Sequence, residues 1–61
     1  MAIQRFDDVA EAEQMAQQMA GWDVKVVPWT DLQGQSGWVI QAQAPGASGQ
    51  PQYLHDDGMV R

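Results

Sequence analysis

The chain is 61 residues long, has no cysteine, and sets eight aspartates and glutamates against three lysines and arginines, for a formal net charge of −5. No disulfide or thiolate metal site can form, and a single histidine leaves no ligand set for a structural metal. So short a chain reads as a single small domain over residues 1–61 that must hold together by packing or by self-association.

The charge disfavours direct binding to DNA, RNA or anionic membranes, which attract basic surfaces, and favours a protein partner with a basic surface. No apolar run approaches the roughly 20 residues of a membrane span. The start, Met1 to Asp8, lacks the basic opening and apolar centre of a signal peptide, so a cytoplasmic location is expected.

The first predicted element runs from Asp7 to Ala20. Phe6, Val9, Ala12, Ala16, Met19 and Ala20 share one side of a helical wheel, with Met15 at its rim, and Asp7, Glu11, Gln14 and Gln18 take the other. This pattern predicts an amphipathic helix. Asp7 or Asp8 can cap it, and with Asp8 as cap Glu11 falls at the position of the acidic half of a capping box. Gly21 is expected to end the helix in a left-handed conformation, with Trp22 folding back onto Ala16.

Strands follow. Trp22 to Val27 alternates, with Trp22, Val24 and Val26 on one face, and Pro28 is expected to close the strand. Residues Thr30 to Gly37 read as a polar loop. Trp38 to Ala44 alternates again, grouping Trp38, Ile40, Ala42 and Ala44, and Pro45 to Gln50 reads as a second loop. Gln52 to His55 meets Asp56-Asp57-Gly58, a hairpin signal, before Met59-Val60-Arg61 as a short fourth strand. The expected fold is α+β: one N-terminal amphipathic helix packed on a three- or four-stranded antiparallel meander sheet. One helix covers one face. The other is expected to carry Val27, Trp29 and Val39, with one of Tyr53 or Leu54, as an open contact patch.

No grouping of residues points to catalysis. His55-Asp56-Asp57 underfills a zinc or calcium shell and reads as a strand end and turn, so neither metal nor cofactor is expected. Gly34-Gln35-Ser36-Gly37 lacks the following helix and lysine of a phosphate-binding loop. Ser36 and Ser48 lack a nucleophile-elbow setting. Trp22, Trp29 and Trp38 lack the basic groove that accompanies base stacking. Trp22 and Trp38 are expected in the core, and Trp29 is a candidate interface anchor.

Acid placement carries the functional expectation. Asp7, Asp8 and Glu11 crowd the first helical turn, Asp31 lies mid-chain, and Asp56 and Asp57 share the last turn. As caps and turn formers these residues are ordinary. As a rigid array they imitate the phosphate track of a nucleic acid and could enter a basic cleft through arginine–carboxylate pairs. The expectation is a non-catalytic protein-binding module, an inhibitor that occupies the nucleic-acid-binding surface of its partner. Its size and charge are analogous to those of phage and mobile-element inhibitors of anti-restriction or anti-CRISPR type. The expected partner-binding residues are Asp7, Asp8, Glu11, Trp29, Asp31, Asp56 and Asp57. The alternative is a structural or assembly protein that forms a homodimer through its open sheet face.

Overall fold

The computed structural model describes residues 2–61. One helix, α1 (Val9–Gln17), precedes three strands, β1 (Asp23–Thr30), β2 (Ser36–Gln43) and β3 (Gln52–Tyr53), ordered β1-β2-β3 and antiparallel throughout. The helix packs on β1 and β2. The fold is α+β, with its helix at the N-terminal end of the chain.

The helix is shorter than the sequence pattern predicts. Asp8 caps it from an extended backbone, its carboxylate accepting the Ala10 N–H at 2.9 Å. This satisfies a first-turn N–H that has no partner within the helix. At the other end Gln18 and Met19 donate to the carbonyls of Met15 and Ala16, three residues back, so the final turn tightens out of α geometry. Gly21, at φ +88°, then turns the chain toward β1. Ala12 is fully buried, while Val9 and Met15 each keep more than a third of their surface exposed.

β1 does not stop at Pro28. Its register runs from Asp23 opposite Gln43 to Thr30 opposite Ser36 and places Pro28 opposite Trp38. Trp38 exchanges both its backbone hydrogen bonds with Phe6, on the side away from β1. The Pro28–Trp38 pair is therefore a non-hydrogen-bonded one, and the proline nitrogen faces outward from an edge strand, where a missing N–H breaks no bond of the ladder. The loop predicted over residues 30–37 accordingly shrinks to the segment between β1 and β2.

β2 is the centre of the molecule. Val39, Ile40 and Ala42 are all at or below 1% exposure, and Leu54 joins them at 6%. The pairing Val24–Ala42, Val26–Ile40 and Pro28–Trp38 defines the face under α1. Val27, Trp29, Gly37, Val39 and Gln41 define the opposite face, joined by Tyr53 opposite Gln41. The Gln41 side-chain amide donates to the Tyr53 hydroxyl at 3.1 Å, so this second face is bridged as well as paired.

The expectation that Val39 lies on a wet face is therefore corrected. The N-terminal segment, for which the sequence pattern predicts no partner, brings Arg5 onto that face. Phe6 and Trp38 exchange backbone hydrogen bonds of 2.8 Å each, Gln4 N–H donates to the Leu54 carbonyl, and Asp56 N–H donates to that of Ala2. The segment threads between β2 and the C-terminal residues and brings Arg5 across Gly37. A Cβ at Gly37 would stand 2.8 Å from the Phe6 carbonyl oxygen and 3.6 Å from Arg5 Cγ. Glycine is required there because another backbone passes close.

The chain ends in a hairpin. His55 N–H donates to the Met59 carbonyl at 2.8 Å, Gly58 sits at φ +85°, and Tyr53 and Arg61 exchange backbone hydrogen bonds. Only the Leu54–Val60 bridge marks the expected fourth strand. Trp22, expected in the core, is 38% exposed.

Gly37→Ala tests the close passage. The added methyl must push the Phe6 backbone away, and the variant should lose about 1–3 kcal/mol in urea unfolding, the usual range for overpacking. An unchanged midpoint would mean that the N-terminal segment yields without consequence.

Candidate functional site

The expected partner-binding residues fall into two groups, one around Arg5 and the start of α1 and one in the C-terminal hairpin. The first surrounds Arg5. Its Nη1 lies 3.0 Å from Asp31 Oδ2, and its guanidinium carbon stands 5.1 Å from the Trp29 ring centroid. Strand alternation produces this meeting: Trp29 lies opposite Gly37 on one face, and Arg5 crosses that glycine. The cation–π contact is worth about 0.5–1 kcal/mol at such a half-exposed position, and the ion pair at most about as much.

Asp31 also builds the loop between β1 and β2. Its Oδ1 accepts the N–H groups of Gln33 and Gln35 at 2.9 and 3.0 Å, while its own N–H donates to the Gln35 carbonyl. Gly34, at φ +84°, supplies the left-handed step that the loop needs. The hydrogen bond from Arg5 is the main cause holding the Asp31 carboxyl below its ordinary value; partial burial opposes it and the two backbone donors reinforce it. Leu32, at the loop tip, is fully exposed, and Trp29, Asp31 and Leu32 line an open groove of about 560 Å³.

Asp7, Asp8 and Glu11 follow Arg5 in the chain, where α1 begins. Asp7 is two residues from Arg5 and so within about 7 Å along the chain. Asp8 serves as the cap, and Glu11 lies in the first turn, where the helix dipole favours negative charge. Among the described residues neither Asp7 nor Glu11 has a side-chain hydrogen bond or ion pair.

Asp56 and Asp57 form the second group. Asp56 N–H donates to the Ala2 carbonyl. Asp57 is a turn residue. It accepts the Met59 N–H at 3.0 Å and pairs with Arg61 at 2.7 Å. The Met59 N–H is the leading cause that lowers its carboxyl below the ordinary value; partial burial opposes this and the Arg61 contact adds to it. His55 Nδ1 lies 2.9 Å from the Tyr53 carbonyl, which makes it the donating nitrogen. A groove of about 420 Å³ runs from here to the end of α1, with Met15, Met19 and Trp22 on one wall and Leu54 and His55 on the other.

Sequence reasoning missed Arg5 and Leu32. Gly37 inside a strand was the available signal for the first, since such a glycine marks a close backbone approach. Among the described residues no three His, Asp or Glu side chains gather closely enough to hold a metal ion, and no helix is long and apolar enough to cross a membrane. Comparison with known proteins finds no matching family model, no matching curated protein and no matching solved structure.

Both depressed carboxyls tie stability to pH. A group whose folded pKa is lowered contributes stability that is fully present above its unfolded value, 3.8 for aspartate, and is lost as pH falls through the folded one. The thermal midpoint should therefore fall as pH drops below about 4. Asp31→Asn should start lower at neutral pH and lose part of that acid dependence, because it keeps no charge for Arg5. An unaltered acid profile in Asp31→Asn would remove Asp31 from this role.

Proposed function

We propose that the chain is a small non-catalytic protein-binding module whose acidic end occupies a basic, nucleic-acid-binding surface of a partner protein, as an inhibitor would. The acidic end comprises Asp7, Asp8 and Glu11. Trp29 and Leu32, exposed around the β1–β2 loop, supply a separate apolar contact.

One observation carries the reading. The two arginines are committed to ion pairs within the chain, to Asp31 and Asp57. Their placement leaves the carboxylates at the start of α1 with no cation paired to them among the described residues. A cationic side chain from a partner would complete them, and it would approach a helix start already held rigid by the Asp8 cap. Trp29 is 38% exposed and belongs to the residue type enriched at binding anchors. Its ring is held against Arg5, which lies two residues before Asp7 in the chain. Asp31 and Asp57 serve the fold, and Asp56 stands apart with the C-terminal hairpin, so the reading rests on fewer acids than the sequence offered.

The test begins with the protein partner captured by cross-linking in its native cells and then purified. Its affinity is measured by titration across salt, for the native chain and for a double variant with Asp7→Asn and Glu11→Gln, which leaves the Asp8 cap in place. Binding should fall steeply with salt, compete with duplex nucleic acid, and weaken about tenfold or more in the double variant. A partner held equally well at high salt and by the neutralised variant would overturn the proposal.

A further inference from the structure

We infer that the outer edge of β1 is a self-association site, at which two copies of this chain pair their β1 strands antiparallel about a two-fold axis at Val24. The inference is independent of the acidic end.

β1 stands at the end of the sheet, with β2 on one side only. In an antiparallel ladder alternate residues turn their backbone groups toward one neighbour and then the other. Trp38 gives its backbone groups to Phe6, and the Ile40 carbonyl accepts from Leu54, so both point away from β1. Their β1 partners, Pro28 and Val26, therefore point outward, and Val24 does the same by alternation. Pro28 has no N–H and blunts the half of the edge near the β1–β2 loop. Val24 and Val26 keep their outward N–H and carbonyl groups, and no described backbone or side-chain group bonds them.

Charge selects the partner and the register. A second copy centred on Lys25 would set two lysines directly opposite each other. One centred on Val26 would set Val24 against Pro28, which cannot donate. Centred on Val24, the pair places Asp23 opposite the second copy's Lys25, and by symmetry its Asp23 opposite Lys25. Among the described residues neither Asp23 nor Lys25 has an ion-pair partner within its own chain. The same register brings Trp22 opposite Val26 on the face that carries α1, an aromatic–β-branched pairing of the kind that stabilises sheets. It also gives the exposed Trp22 ring an apolar neighbour. The Val24 amides and carbonyls bond reciprocally across the axis, and the Val26 N–H reaches the Trp22 carbonyl. The Trp22 N–H is already donated to Met19.

Sedimentation equilibrium of the full chain tests this, with an amide NMR spectrum of each variant to verify the fold. The native protein should dimerise. Asp23→Lys and Lys25→Asp should each weaken the dimer about tenfold or more, because each sets like charges opposite one another twice, and the double exchange should restore it. Asp23→Lys reduces the net negative charge from −5 to −3 and would strengthen association if overall repulsion governed it. Val24→Pro should yield a folded monomer, since it removes an outward N–H as Pro28 already does. If Val24→Pro does not fold, the charge exchange decides alone. A native chain that stays monomeric at millimolar concentration, or single and double exchanges that associate alike, overturns the inference.

Discussion

The hydrogen bonds that Phe6 and Trp38 exchange across the edge of β2 hold this molecule in its observed form. They dock an N-terminal segment that has no helix or strand of its own onto the one strand the whole core shares. With β1 on one side, and β3 and the docked segment together on the other, β2 is flanked by chain along its length. Both of its faces carry further groups, with α1 packed on the sheet and Arg5, Trp29 and Tyr53 sharing the face of Val39. Burial of a valine or isoleucine side chain is worth about 1.5–3 kcal/mol, several times the ion pair or the cation–π contact that accompanies it. The polar groups around Arg5 thus fix the position of the segment, while the apolar burial it makes possible supplies most of the stabilisation.

The same docking orders the electrostatics. It brings Arg5 to Asp31, a residue 26 positions away, and so ties the β1–β2 loop to the N-terminus. Arg61 closes the C-terminal hairpin on Asp57. Both arginines serve internal structure; of the remaining acids, Asp7, Asp8 and Glu11 cluster where α1 begins, and Asp23 stands with Lys25 where β1 begins. Two kinds of surface result. The start of α1 carries carboxylates with no cation paired to them among the described residues, the feature on which the proposed binding to a basic surface rests. The start of β1 alternates acid and base along an open edge, suited to a copy of itself. Neither surface uses the residues that maintain the other.

Much of the fold was legible because its determinants are local. The Asp8 cap, the helical pattern around Ala12, the alternation in β1 and β2 and the Asp56-Asp57-Gly58 turn all act within a few residues. The helix ends early, at Gln17, because i to i−3 bonds tighten its last turn before Gly21, a choice that residue spacing does not record. Trp38-Val39-Ile40 was read as alternation, although three large apolar residues in succession suit a strand covered on both faces. Trp22, read as core, stands at the rim because β1 begins only after it. At the candidate site, the turn role of Asp57 was local and readable. The link from Arg5 to Asp31 and Trp29 was not, because it joins segments distant in sequence through a glycine whose role appears only once a second backbone is seen to cross it.

Native-state hydrogen exchange at the Phe6 and Trp38 amides tests the central claim most directly, with the Val39 amide as reference, since its register with Val27 places it in the β1–β2 ladder. If the docked segment is integral to the core, all three amides should open only with global unfolding and report one common free energy. Exchange at Phe6 and Trp38 orders of magnitude faster, with Val39 still protected, would contradict the account, because the segment would then detach while the sheet survives without it.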